Sequence, residues 1–128
     1  MSFLLDTNVA IQLRDGDRDI TEKIMALQGA VLLSVVSRVE LEGGVYRDPA
    51  LVHVRRPRLD VILDTLPVLA FDDASADAYR GIVAVAGYSR RKLLDRMIAA
   101  QAIVHRATLV TLNGADFRDV PGLKLLEW

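Results

Sequence analysis

Residues 30–36, Ala-Val-Leu-Leu-Ser-Val-Val, are apolar at every position but one. A strand with one face in water alternates apolar and polar side chains, so a strand without that alternation has to be covered on both faces. The architecture that achieves this is a parallel sheet held between two layers of helices. The rest of the chain reads accordingly. Phe3-Leu4-Leu5 is a short strand, and Asp6-Thr7-Asn8 supplies capping side chains to a helix running to about Leu13. Residues 15–19 form a polar turn, from which Asp19 caps a helix over residues 20–27 that Gly29 ends. Ser37 opens a helix to about Tyr46, residues 59–66 make another helical turn or two, and residues 67–70 are a short strand at best. Asp73 caps a helix with Ala76, Tyr79, Ile82, Val83 and Ala86 on one side and Gly87 as its stop. A basic loop, Ser89-Arg90-Arg91-Lys92, leads into a helix ending at His105; residues 108–111 are a strand, 112–119 a loop or single turn, and 123–126 a last strand. This order predicts a three-layer α/β/α sandwich around a mainly parallel sheet, in a single domain over residues 1–128.

Charge and composition narrow the function. The chain carries 16 Lys and Arg against 17 Asp and Glu, a net charge of −1, so nucleic acid cannot be bound by a global basic field and any such binding needs a local patch. Zero cysteines exclude disulfides, thiol nucleophiles and cysteine-ligated metals. Only His53 and His105 remain, too few for a histidine-built zinc site. The apolar run at residues 30–36 is far short of a membrane span, and Asp6 interrupts the apolar start, so a cytoplasmic protein without membrane contact is expected. At 52% hydrophobic the chain is oily for its size, which points to apolar surface reserved for a partner.

In an open parallel sheet, ligands collect beyond the carboxyl ends of the strands. Four acids have that address. Asp6 follows the first strand, Glu40 lies early in the helix after the second, Asp95 starts the helix that feeds the fourth, and Asp116 lies just past that strand. The helical neighbours of Asp95 are Ile98, Ala99 and Ala102, so its carboxylate faces an apolar side and needs a positive partner. A divalent metal would satisfy all four acids at once. Each also has a local structural reading: Asp6 as a helix cap, Glu40 in a capping box with Ser37, Asp95 at the favourable end of a helix dipole, Asp116 as a turn residue. Capping with one carboxylate oxygen leaves the other free to ligate. Asp15, Asp17, Asp19, Asp72 and Asp73 read as solvated turn and cap residues, Asp77 as surface, and Glu42 as pointing away from Glu40.

The blocks Leu4-Leu5-Asp6-Thr7-Asn8, Ser34-Val-Val-Ser37-Arg-Val-Glu40, Asp95-Arg-Met-Ile-Ala-Ala100 and Leu109-Val-Thr111-Leu-Asn113-Gly-Ala-Asp116-Phe117 occur in an order and spacing that resembles the PIN-domain nucleases, and among them the VapC-type toxins of toxin–antitoxin pairs. The likeness covers essentially the whole chain, though residues 46–58 are its least family-like stretch. It implies a metal-dependent endoribonuclease with Asp6, Glu40, Asp95 and Asp116 around Mg²⁺ or Mn²⁺. Thr7, Ser37, Thr111 and Asn113 match positions that orient ligands or water. The implied partners are an RNA substrate and a cognate antitoxin, with a homodimer and a toxin–antitoxin hetero-oligomer expected, and DNA reached only through the antitoxin.

Hard divalent cations prefer oxygen ligands, and Mg²⁺ takes one or two protein carboxylates plus substrate phosphate oxygens, which suits an all-carboxylate site in a cysteine-free chain. The acids repel RNA, so a basic flank has to attract it. Arg90, Arg91 and Lys92, just before Asp95, are the main candidates, and Arg55-Arg56-Pro57-Arg58 the second. Only 5% aromatic residues argues against stacking platforms for bases. Two rival readings of an acid after the first strand fare worse. A haloacid-dehalogenase-type phosphatase needs a second acid where Asn8 stands, and a receiver domain needs a phosphorylatable Asp after a middle strand. A PIN nuclease of RNA processing outside a toxin pair, or a non-catalytic binding module, would share the same fold.

Overall fold

The computed structural model describes all 128 residues. Five strands, β1 (Ser2–Leu5), β2 (Ala30–Ser34), β3 (Val68–Leu69), β4 (Thr108–Thr111) and β5 (Leu125–Glu127), form one sheet in the order β3-β2-β1-β4-β5. Every neighbouring pair is parallel, with Leu4 opposite Leu32 on one side and Leu109 on the other. The helices are α1 (Thr7–Arg14), α2 (Arg18–Met25), α3 (Val35–Arg47), α4 (Val52–Thr65), α5 (Asp73–Ala86) and α6 (Leu93–Val104), with 3₁₀ turns at Pro49–Leu51 and Gly114–Phe117.

Successive residues of a strand point to opposite faces, and both faces are covered. Leu4 and Leu109 pack with Ile82 of α5 and Ile98, Ala99 and Ala102 of α6. Phe3, Leu5 and Val110 pack the other way, with Val9 of α1 and Ile20 and Ile24 of α2. Leu33 joins Leu41 and Val45 of α3 and Leu59 and Ile62 of α4. Burying each such side chain contributes about 1.5–3 kcal/mol, and double coverage explains why the strands carry no polar alternation.

Chain order sets where a ligand can go. From central β1 the chain builds β2 and β3 on one side, then crosses to lay β4 and β5 on the other. The order therefore reverses between β1 and β4, and the crevice beyond their carboxyl ends is the topological switch point. Asp6 is the first residue past β1, where its N–H donates to Val110 O at 2.9 Å.

Several boundaries differ from expectation. Asp17, not Asp19, caps α2, its carboxylate accepting from the Ile20 N–H. Asp72, not Asp73, caps α5 through the Ser75 N–H. Ser34, the last residue of β2, caps α3 through the Val36 N–H, so the helix begins two residues before the supposed capping box and Ser37 and Glu40 lie inside it. Where two capping residues stand close together, the end of the preceding strand or turn decides between them. On α5, Ala76 is exposed and Ser75 takes the buried position. The helix expected over residues 59–66 begins at Val52 and carries Pro57 inside it. Proline forfeits only the bond to the carbonyl four residues back, that of exposed His53, which water can satisfy.

Candidate active site

Asp6 is the most constrained acid. It is 4% exposed. As the N-cap of α1 its Oδ1 accepts from the Thr7 N–H at 2.8 Å, while its Oδ2 accepts from the Thr111 hydroxyl at 2.9 Å. The strand-end position of Thr111 on β4 thus fixes the carboxylate from the neighbouring strand, and the Asn113 N–H in turn donates to Thr111 Oγ1 at 3.0 Å. Glu40 arrives on α3. The Thr7 hydroxyl donates to Glu40 Oε1 at 2.8 Å and lies 2.8 Å from Ser37 Oγ, so a single chain of bonds runs from Ser37 through Thr7 to Glu40. Asp116 sits in the 3₁₀ turn after β4, its Oδ2 accepting from Asn113 Nδ2 at 2.7 Å. Asp95 stands in the first turn of α6, whose Ile98, Ala99 and Ala102 are fully buried.

The four carboxylates sense one another. Burial raises the Asp6 pKa above the ordinary carboxylate value, its bonds to Thr111 and Thr7 pull it back, and the charges of Glu40 and Asp116 push it further up. Burial also lifts Asp95 to about 6, reinforced by Asp6, Asp116 and Glu40 and only partly offset by the Lys92 ammonium. Such mutual repulsion, relieved only in part by Lys92, favours the binding of a positive ligand.

Around Asp6 the surface is divided. Asp95 and Asp116 line a cleft of about 190 Å³ with Arg91 and Lys92. Glu40 lines a second, of about 590 Å³, with Arg14, Arg47 and Arg55. The acids do not converge on a closed cage: no three His, Asp or Glu side chains are placed to enclose an ion among themselves. An open set of oxygen donors fits Mg²⁺ or Mn²⁺, which keep several waters and take substrate oxygens, and does not fit a dedicated zinc or calcium cage.

The basic candidates separate as well. Arg91 is exposed and Lys92 half-buried at the cleft, with Lys92 Nζ donating to Asp119 Oδ2 at 3.1 Å. Arg90 is exposed beside them. The second cluster does not act as one patch. Arg56 is tied to Glu42 and to Asp60, Arg58 donates to Asp15 O, and only Arg55 reaches the cleft that holds Glu40. Asp77 is exposed, and Glu42 faces Arg56 and Arg38 away from Glu40, as expected; His53 is exposed on α4.

One residue next to the site escaped sequence reasoning. Arg96 is 2% exposed; it donates to Gly87 O and, at 3.0 Å, to Asp119 Oδ2. It ties the end of α5 and the segment after Asp116 to the helix that bears Asp95. The signal was available, since an arginine directly after Asp95 on an otherwise apolar helix requires buried partners.

The PIN domain family model matches residues 3–123. The chain belongs to the PIN-domain family. Full-length relatives of this PIN domain include ribonuclease VapC2 of Rickettsia felis, 27% identical over all of this chain and 98% of the relative, and the tRNA(fMet)-specific endonuclease VapC of Shigella flexneri, 28% identical with the same coverage. Among solved structures, VapBC2 of Rickettsia felis bound to a promoter DNA fragment is 25% identical with a TM-score of 0.85, covering 100% of this chain and 99% of that one. FitAcB of Neisseria gonorrhoeae is 27% identical with a TM-score of 0.83, covering 98% and 96%. A parallel sheet between helical layers is thus what this PIN domain builds, and the solved relatives share its fold.

Proposed function

We propose that this PIN domain is a divalent-metal-dependent endoribonuclease and the toxin of a VapBC-type pair, neutralised by a cognate antitoxin. The observation that carries the reading is Asp6, a buried carboxylate held by the start of α1 and the end of β4 at the switch point and electrostatically coupled to three further acids. Full-length likeness to named VapC ribonucleases, and to a toxin seen in complex with its antitoxin on DNA, supports the toxin assignment. By the same likeness DNA is reached through the antitoxin, and self-association would bury part of the apolar surface. No helix is long and apolar enough to cross a membrane.

Asp6 and Asp95 would hold the cation, which when bound supplies a Lewis acid for the phosphodiester and neutralises the acids against the incoming phosphate. Glu40 and Asp116 orient the attacking water. Glu40 is aimed by Thr7, itself braced by Ser37; Asp116 is aimed by Asn113. Thr111 holds Asp6 in register, and Arg91 and Lys92 draw the RNA backbone to the cleft. The test is incubation with total cellular RNA in Mg²⁺, Mn²⁺ or EDTA, followed by end mapping. Discrete cuts with either metal and none in EDTA are expected; cutting that persists in EDTA would refute metal dependence.

A further inference from the structure

We infer that the cleft around Gly43 and Gly44 of α3 binds the phosphodiester backbone of the RNA strand flanking the cut bond. The inference rests on the nuclease reading and extends it to the path of the substrate. Two consecutive glycines inside a helix cost about 1 kcal/mol each relative to alanine, so their presence calls for a reason. At Gly44 the reason is steric: a Cβ there would stand 2.8 Å from Arg14 Nη1. Arg14, on α1, is 4% exposed, its Nε donating to Asp15 Oδ1 at 3.1 Å, and it lines the cleft through the gap that Gly44 leaves. At Gly43 a Cβ would meet nothing within 4 Å, so this position leaves open space.

Three helices aim a guanidinium at that space. Arg14 comes from α1, Arg47 from the last turn of α3, and Arg55 from α4, where its Nη1 donates to Gly44 O at 2.8 Å and is held in place. Against them stand Asp15 and Glu40, leaving the cleft net positive. Guanidinium forks match phosphate oxygens in geometry as well as charge. The volume of about 590 Å³ is that of a site for a nucleotide-sized group. Glu40 forms one wall of this cleft and touches Thr7, the neighbour of Asp6, while Arg91 and Lys92 line a separate cleft with Asp95 and Asp116. Both clefts that hold the acids are therefore lined by cations. A repeating phosphate backbone satisfies both clefts with one strand, which an acidic peptide of irregular charge spacing does not.

The test exploits the glycines. Gly43→Glu adds charge to the cleft without steric conflict and with improved helix propensity, whereas Gly81→Glu does the same on α5, where a Cβ also meets nothing within 4 Å. Binding of fluorescent single-stranded RNA is measured in EDTA, so that no cleavage intervenes, across a salt series. Gly43→Glu and Arg47→Glu are expected to bind about tenfold or more weakly than Gly81→Glu, with shallower salt slopes, all three keeping the wild-type unfolding midpoint within a few degrees. Equal affinity in Gly43→Glu, Arg47→Glu and Gly81→Glu would overturn the proposal even if the wild type cuts RNA. A wild type that binds RNA through this cleft yet never cuts it would refute the nuclease reading and leave the cleft standing. Displacement by a polyglutamate peptide with unaltered RNA affinity in the variants would reassign the cleft to an acidic protein segment and overturn the proposal.

Discussion

Asp6 does two things that pull in opposite directions. Its hydrogen bonds to Thr7 and Thr111 favour the ionised form, while its burial and the neighbouring Glu40 and Asp116 oppose that form more strongly. Neutralising it should therefore not harm the metal-free fold. Asp6→Asn is expected to abolish RNA cleavage while the unfolding midpoint in EDTA stays level or rises; a fall of several degrees with activity retained would make Asp6 a mere helix cap. Arg96 behaves in the reverse manner, because its charge is matched. Removing it takes the donor from Gly87 O and leaves Asp119 with Lys92 alone, and Arg96→Met is expected to cost about 1–3 kcal/mol in urea unfolding. Arg96→Lys should recover only part of that, since a single ammonium cannot reproduce a two-armed fork.

At the scale of elements, the strands and the acids were legible for one reason. A doubly covered strand prints its burial directly as an apolar run, and chain order then puts the residue after it at the sheet edge. This made Leu4-Leu5-Asp6 and Val110-Thr111 readable without any tertiary knowledge. Residues 52–58 of α4 were not, because arginines and a proline mask the helical period, and their pairing with Glu42 and Asp15 is made by elements distant in sequence. The same limit hid the cleft at Gly43: Arg14, Arg47 and Arg55 share nothing in sequence that announces their convergence. The basic loop between α5 and α6 was readable because it adjoins Asp95. Neutralising Arg90, Arg91 and Lys92 together is expected to weaken RNA binding and flatten its salt dependence by about 2 in log–log slope, at roughly 0.7 per phosphate contact, with cation binding retained. Unchanged RNA affinity would remove this loop from the substrate path.

For the molecule as a whole, the raised acids set a pH dependence. Asp6 and Asp95 have folded-state pKa values above the 3.8 of the unfolded chain, so each contributes stability that is complete below about 3.8 and lost as pH rises through its folded value, which for Asp95 is about 6. Asp72 and Asp119 are shifted downward, so both states carry them ionised above pH 5 and they add no slope there. In EDTA the unfolding midpoint is expected to fall by about 2–5 °C between pH 5 and 7.5. Asp95→Asn should flatten that fall, and Mg²⁺ or Mn²⁺ should reverse it by binding the ionised acids. A midpoint that instead climbs over this range in EDTA would contradict the coupling of the four carboxylates.

The bond from Thr111 to Asp6 joins residues 105 apart, at nearly opposite ends of the chain. Synthesis therefore produces β1, α3 and their two acids long before the strand that squares Asp6 for work. A growing polypeptide still tethered to its ribosome holds only half of a blade, and a prematurely released one never gains the rest. On the proposed activity, the cell that makes this protein is spared from it until β4 has been made, which gives a partner made alongside it time to be waiting.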